Sequence, residues 1–128
     1  MSDVLPNGWV WCKAEDIASI MHGGTPDTSI PEYFSENDGI PWITPSDLTN
    51  YEKQYISRGR RFLTESGLKN SSAKILPKDS ILLSLRVPIG YCVISSNELC
   101  TNQGFKNFIL FNDVEPKYIR FYLINSKD

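Results

Sequence analysis

The sequence predicts an α+β fold, with a mainly antiparallel or mixed sheet and short helices in a single domain. Short apolar runs of strand length, such as residues 80–85 (SILLSL) and 105–111 (FKNFILF), are its clearest periodic signals. Eight prolines and eight glycines interrupt the chain often enough to keep its elements short. Strands and helices do not alternate as they do in βαβ units. A length of 128 residues fits one domain.

The first part of the chain is interpreted as short strands joined by loops. Residues 8–13 (GWVWCK) alternate in polarity and predict a strand, and residues 14–21 predict a short helix that runs into a strand. Residues 22–34 contain two glycines and two prolines, which predicts a loop. Residues 39–48 (GIPWITPSDL) predict a brief strand and then a helical turn capped by Ser46 or Asp47.

The second part contains the stronger strand signals. Residues 64–76 predict a short helix with Thr64 as its N-cap. The apolar run at 80–85 predicts a buried strand that breaks at Pro88 and Gly90 and resumes as YCVIS at residues 91–95. Residues 105–111 predict the last strand.

A helix is predicted to begin after residue 112. Pro116 suits its first position, following a capping Asp113 or Glu115. The pattern places Tyr118, Phe121, Tyr122 and Ile124 on one broad face. We therefore divide the chain into a domain at residues 1–112 and the start of a C-terminal helix at residues 113–128.

Composition narrows the class of protein. A 41% hydrophobic and 22% charged composition is that of a globular chain. No run approaches the roughly 18 apolar residues of a membrane span. The N-terminal MSDVLPNGWVW lacks the features of a signal peptide. The three cysteines (Cys12, Cys92 and Cys100) have no CxxC spacing and each lies in an apolar stretch, so we expect reduced core residues in a cytoplasmic protein without a membrane partner.

Charge is distributed unevenly along the chain. Residues 1–52 contain one basic and nine acidic residues, and therefore carry −8. Residues 53–106 contain nine basic and three acidic residues, and therefore carry +6. A local basic face can attract a polyanion although the whole chain has a net charge of −2. The alternative is that these cations are scattered over a solvated surface.

Residue patterns for catalysis are weak. The sequence has neither a GxSxG nucleophile motif, nor a P-loop, nor GxGxxG, and its single histidine, His22, gives no metal-ligand spacing. Asp79 beside the strand at 80–85 is the nearest candidate for a metal-dependent nuclease, but a turn explains it better. We therefore predict a protein that is not an enzyme and binds no metal or cofactor.

Residues suited to nucleic-acid binding are more numerous. The cluster Arg58-Gly59-Arg60-Arg61 can project from a tight loop, and arginine donates paired hydrogen bonds to phosphates and guanine. Asparagine and glutamine pair similarly with adenine, although both also stabilise turns. The candidate DNA-binding residues are Arg58, Arg60, Arg61, Lys69, Lys74, Arg86, Asn102, Gln103 and Lys106.

Four stretches together resemble the target-recognition domain of type I restriction-modification specificity subunits, also called the DNA methylase specificity domain. They are residues 5–26, 39–48, 56–91 and 97–108, which include PIGY and TNQGF. Their order and spacing match across nearly the whole chain. The resemblance implies sequence-specific recognition of double-stranded DNA, with residues 1–112 reading one half of a split target and residues 113–128 leading towards a spacer helix.

The resemblance also implies partners. Methyltransferase subunits using S-adenosylmethionine and restriction subunits using ATP would carry the catalysis, and this chain would carry none. A chain of this length leaves two alternatives: a fragment, or a half-length subunit that self-associates. A protein-interaction module that docks those subunits without reading DNA remains the alternative function.

Roles within the candidate site follow from the same resemblance. Family members differ in their DNA target yet share TNQGF and PIGY, which implies that Thr101, Asn102 and Gln103 mostly tie loops together. Arg86 and Lys106 are then expected to contact phosphates. The loop at residues 49–61 is expected to read bases. The acidic loop at residues 27–38 leaves two alternatives, accepting from cytosine N4 or facing solvent, of which solvent is preferred.

Overall fold

The computed structural model describes residues 17–86, 91–111 and 113–125. The strands of these residues are β1 (Ala18–His22), β2 (Phe34–Ser35), β3 (Ile40–Ile43), β4 (Tyr55–Ile56), β5 (Arg61–Leu63), β6 (Ile81–Ser84), β7 (Cys92–Ser95), β8 (Cys100–Thr101) and β9 (Phe105–Leu110). The helices are α1 (Glu65–Lys69) and α2 (Pro116–Asn125), with 3-10 turns at Pro31–Tyr33 and Pro45–Leu48.

The strands form two mixed sheets that are mainly antiparallel. One sheet has the order β1-β9-β6-β7-β4, and its only parallel neighbours within the described residues are β4 and β7. The second has the order β2-β5-β3-β8, with β3 and β8 parallel. The predicted α+β fold is confirmed.

Alternating side chains divide the apolar residues into layers. Leu82 and Val93 of the five-stranded sheet pack with Ile43 of the four-stranded sheet, so a core lies between the two sheets. Ile81 and Ile94 face the other way and pack against α2. On the outer face of the four-stranded sheet, a further set (Trp42, Leu63, Ala73 and Cys100) packs with Leu68 of α1. The order of layers is therefore α2, five-stranded sheet, four-stranded sheet, α1.

The predicted strands at residues 80–85 and 91–95 are confirmed as β6 and β7 in the centre of the five-stranded sheet. All four residues of β7 are buried, as expected for a strand that is covered on both faces. The strand predicted at residues 8–13 and the break at Pro88 and Gly90 lie outside the described residues. Within residues 14–21, the described part is mainly strand, since β1 begins at Ala18.

Two N-cap predictions have different outcomes. Thr64 caps α1 as predicted, because its hydroxyl accepts from the Gly67 N–H at 3.1 Å. The prediction of Ser46 or Asp47 as a cap was wrong, because Thr44 is the N-cap of that turn. Asp47 lies three residues later, and its Oδ2 accepts from the Thr44 N–H at 2.9 Å. The residues form a capping box, in which an acidic side chain reaches back to the start of the turn.

Helix α2 begins at Pro116 as predicted, and the Glu115 carboxylate accepts from the Lys117 N–H at 3.3 Å. The prediction that Tyr118 and Phe121 share one face with Ile124 was wrong, and the Tyr122 side chain lies outside the described part of the structure. Ile124 packs against the five-stranded sheet, whereas Tyr118 and Phe121 are 64% and 66% exposed. Among the described residues, no helix is both long and apolar enough to cross a membrane.

Replacing Leu82 with alanine should lower the free energy of unfolding by about 2–5 kcal/mol. Leu82 is fully buried between the sheets, and its removal leaves a cavity. Urea unfolding followed by circular dichroism measures the change. The matched control is Leu85→Ala, because Leu85 is 45% exposed and its loss should change stability by less than about 1 kcal/mol. Equal losses in the two variants would contradict this packing.

Candidate nucleic-acid interface

One edge of the structure collects most of the predicted binding residues. Because β3 and β8 are parallel, with Ile43 paired to Thr101, their carboxyl ends meet at the same edge. β5 begins there, since Arg61 pairs with Trp42. In the five-stranded sheet, β6 ends where β9 begins, and β1 ends opposite Lys106. We call this region the polar edge: residues 22–25, 44–47, 58–61, 85–86 and 102–106.

Backbone hydrogen bonds extend each of the two sheets into the polar edge. The Leu85 N–H donates to the Gly104 carbonyl at 2.7 Å, and the Asn102 N–H donates to the Ile43 carbonyl at 2.9 Å. A Cβ atom on Gly104 would lie 2.9 Å from Pro45 Cγ and 3.3 Å from Arg86 Cδ. Glycine therefore allows the exposed Arg86 to pack beside the turn that follows β3.

Two of the clustered arginines are stacked on aromatic rings. The Arg58 guanidinium lies 4.4 Å from the centre of the Phe62 ring. The Arg61 guanidinium lies 4.0 Å from the Phe34 ring centre and 5.8 Å from that of Trp42. Stacking fixes the plane of a guanidinium and leaves its N–H groups at the edge available for paired hydrogen bonds.

Arg60 is held through its backbone. Its N–H donates to Asp47 Oδ1 at 3.2 Å, while its side chain is exposed. Arg60 and Arg61 line an open cleft of about 200 Å³ together with Trp42, Thr44, Ser46 and Asp47. This cleft combines two cations, one carboxylate, two hydroxyl groups and an indole ring, so it offers both donors and acceptors to the edge of a base.

The residues Thr101, Asn102 and Gln103 each have a partner within the chain. The buried Thr101 hydroxyl accepts from Asn107 Nδ2 at 2.9 Å and donates to the Asn102 carbonyl at 3.0 Å. Asn102 Oδ1 accepts from the Gly104 N–H at 2.8 Å, and Gln103 Oε1 accepts from the Thr25 hydroxyl. These bonds support the interpretation that TNQGF ties loops together; DNA contacts by Asn102 and Gln103 stay a prediction.

The three candidate lysines differ in their relation to the polar edge. Lys106 is the second residue of β9, with its ammonium 5.9 Å from the Phe108 ring centre. Lys74 follows Ala73, whose backbone nitrogen would lie 2.6 Å from a Cβ on Gly24, so Lys74 adjoins the edge. Lys69 lies on the last turn of α1, which follows the opposite end of β5. The described residues provide no contact between Lys69 and the polar edge.

Sequence reasoning missed two residues of this region. Asp47 joins the turn after β3 to the loop that carries the arginines. The sequence feature that could have identified it is the capping-box spacing in TPSD, residues 44–47. Asn107 is 1% exposed, and its Oδ1 has no hydrogen-bond partner within the described residues. Its signal was a lone amide inside the apolar run FKNFILF. Asn107 holds the TNQGF loop in place through its hydrogen bond to the Thr101 hydroxyl.

The cysteines and acidic residues do not form a catalytic arrangement in the part of the chain that the structure describes. Burial raises the pKa of Cys92 to about 11 and that of Cys100 to about 12, so both thiols stay protonated at neutral pH. Both are buried, as predicted, while Cys12 lies outside the described residues. Groups of three or more His, Cys, Asp or Glu side chains able to hold a metal ion are absent from the described ranges.

Sequence comparison decides the family. The model of the family described as "Type I restriction modification DNA specificity domain" matches residues 6–128. The chain belongs to this family. It is 48% identical over 123 residues to the type I restriction enzyme MjaIX specificity subunit of Methanocaldococcus jannaschii, covering 96% of this chain and 28% of that subunit. It is 30% identical over 121 residues to the EcoR124I/EcoR124II specificity subunit of Escherichia coli, covering 91% and 29%.

Solved structures share the fold. The HsdS subunit from Thermoanaerobacter tengcongensis superposes with a TM-score of 0.72 over 94% of this chain and 28% of that one, at 20% sequence identity. A chain from a study of complex assembly and conformational transition in the type I R-M system gives the same TM-score of 0.72 at 19% identity. The chain thus spans less than a third of these relatives. The MjaIX and EcoR124I/EcoR124II relatives are named as specificity subunits, in agreement with the prediction that this domain is not an enzyme.

Thr101→Val should lower the free energy of unfolding by about 1–3 kcal/mol, because it leaves the buried Asn107 amide without its hydroxyl partner. Valine has nearly the same shape, so packing changes little. Thr101→Ser, which keeps the hydroxyl, should retain most of the stability. Urea unfolding of both variants measures the difference. Thr28→Val is the control on an exposed loop, and a Thr101→Val protein as stable as wild type would contradict a supporting role for Asn107.

Proposed function

We propose that this domain binds double-stranded DNA and reads one half of a split target for a type I restriction-modification complex, without catalysis of its own. The observation that carries the proposal is the convergence of Arg58, Arg60, Arg61 and Arg86 on one edge of a chain that belongs to the DNA specificity family. A polyanion responds to this local charge, so the net charge of −2 does not oppose binding.

Different residues of the polar edge are suited to phosphate contacts and to base contacts. Arg86 and Lys106 lie beside strand ends, where rigid backbone positions their charges, and we assign them to phosphates. Arg58 and Arg60 lie on the loop between β4 and β5, and Arg61 begins β5. Arg60 and Arg61 border the cleft beside Trp42, so we assign the arginine cluster to base edges in the major groove. Lys74 adds charge next to the edge, while Lys69 contributes at most a peripheral phosphate contact.

The partners follow from the relatives and remain part of the proposal. A second recognition domain would read the other half of the target, either within a longer chain or in a self-associated copy. Methyltransferase and restriction subunits would assemble with it and bind S-adenosylmethionine and ATP. We propose no cofactor for this domain itself.

One observation favours a second function, docking of a protein partner. Tyr118 and Phe121 are exposed on α2, on the far side of the five-stranded sheet from the four-stranded sheet. Exposed aromatic residues are enriched where proteins associate. This surface is separate from the cleft beside Trp42, so the domain can both bind DNA and dock another chain.

Selection from a randomised duplex library tests the proposal. The purified protein is incubated with the library at low and then moderate salt, and the retained DNA is sequenced. We expect enrichment of a motif of a few base pairs, with affinity falling by about 0.9 log unit per log unit of salt for each phosphate neutralised. Retention without enrichment would leave a phosphate-binding scaffold. Absence of retention at low salt would reject DNA binding and favour the docking function.

Arg60→Ala should weaken binding to the selected motif by about 1–3 kcal/mol and relax the preference at one position of the motif. Titration of labelled duplexes with single base changes measures both effects. Lys78→Ala is the matched control, because it also removes one exposed positive charge but lies before β6, at the opposite end of the sheet. Equal losses for the two variants would show that Arg60 acts only through general charge.

A further inference from the structure

We infer that Asp47, which the candidate DNA-binding residues do not include, is the positioning residue of the arginine loop (Arg58–Arg61) and is needed for the domain to discriminate between DNA sequences. The inference rests on the proposed function. Its structural basis is a single carboxylate with ties to two loops: Oδ2 accepts from the Thr44 N–H at 2.9 Å and from the Thr44 hydroxyl at 3.1 Å. Oδ1 accepts from the Arg60 N–H at 3.2 Å.

Gly59 gives a second, independent observation for the same contact. A Cβ atom on Gly59 would lie 2.3 Å from Asp47 Oδ2 and 2.6 Å from Asp47 Cγ, closer than non-bonded carbon and oxygen atoms approach. Only glycine lets the loop backbone lie directly against the carboxylate. The arginine loop is therefore seated on Asp47 by both a hydrogen bond and steric fit.

The anchoring is asymmetric along the arginine loop. Arg58 and Arg61 stack on Phe62 and Phe34, so their guanidinium planes are fixed by aromatic rings. Arg60 is held at its backbone N–H by Asp47, and its side chain is exposed. Fixing the backbone that carries a reading side chain before binding reduces the entropy that association has to offset. Loss of the bond should therefore weaken the reading of DNA by Arg60 more than the stability of the fold.

The direction of the change in DNA affinity distinguishes loss of the anchor from loss of a charge. An aspartate beside two arginines repels a polyanion, so removing its charge alone should strengthen DNA binding. Removing the hydrogen bond from the Arg60 N–H to Asp47 should instead weaken DNA binding. The variant Asp47→Asn keeps the size of the side chain and removes the charge. With its one oxygen turned towards Thr44 it keeps the turn, but then its amide nitrogen faces the Arg60 N–H and cannot accept from it.

The test compares four purified proteins: wild type, Asp47→Asn, Gly59→Ala, and Asp79→Asn as the matched control. Asp79 lies at φ 70°, which asparagine tolerates, and borders the opposite end of β6, so its substitution makes the same charge change away from the polar edge. Circular dichroism checks the fold of each protein. Binding is measured on the library-selected duplex and on duplexes with single base changes.

We expect Asp47→Asn and Gly59→Ala to weaken binding to the selected duplex by about fivefold or more and to flatten the preference at one or two base positions. Asp79→Asn should match wild type or bind slightly tighter. Binding by Asp47→Asn that equals or exceeds wild type, with an unchanged base preference, would overturn the inference. A wild-type protein that selects no motif would reject the proposed function instead.

Hydrogen exchange tests the anchor without DNA. The Arg60 amide should exchange faster in Asp47→Asn and Gly59→Ala than in wild type, while the amide of Leu82 in the core keeps its protection in all four proteins. Unchanged exchange at Arg60 in both variants would overturn the inference whatever the library selection gives. The two measurements therefore distinguish failure of the anchor from failure of the proposed function.

Discussion

The polar edge depends on the parallel pairing of β3 with β8. This pairing brings the turn after Ile43 next to the turn after Thr101, where the Asn102 N–H bonds to the Ile43 carbonyl. The chain after β1 then enters the same region, because the Gly24 N–H donates to the Thr101 carbonyl at 2.9 Å. A Cβ on Gly23 would lie 2.1 Å from the Asn102 carbonyl oxygen, so the approach requires glycine. Segments from three parts of the chain are joined here by backbone hydrogen bonds.

Bringing these segments together buries polar groups, and each buried polar group needs a hydrogen-bond partner. Thr101 is fully buried, and its hydroxyl links the Asn107 amide to the Asn102 carbonyl. Buried polar groups with partners specify one arrangement of the chain, since alternatives leave donors and acceptors unpaired. The TNQGF loop therefore supplies a fixed base, and the arginine loop lies beside it on Asp47. A surface that recognises DNA sequence requires exposed cations on a rigid support; here the arginine loop supplies the cations and the TNQGF loop supplies the support.

Local chemistry made part of this structure predictable. The runs at residues 80–85 and 105–111 gave strands because their apolar residues suit a covered sheet, and Thr64 gave a cap because its hydroxyl can accept a hydrogen bond from an N–H in the first turn. The pairing of β3 with β8 was not predictable, because strands of two to four residues carry too little pattern to specify neighbours far apart in sequence. The aromatic face of α2 was misassigned for a related reason: helical periodicity defines a face but not which face the sheet covers.

In the candidate site too, some residues were predictable from the sequence and others were not. The clustered arginines were found from composition and spacing, because guanidinium chemistry is recognisable in any fold. Asp47 was missed as a site residue because its role exists only when the loop at Gly59 folds against it, a contact that sequence separation conceals. Residues with a recognisable chemistry can thus be named from a sequence, whereas residues that hold them in place require the structure. Specificity depends on both, because an arginine whose direction is not fixed binds phosphates but discriminates poorly between bases.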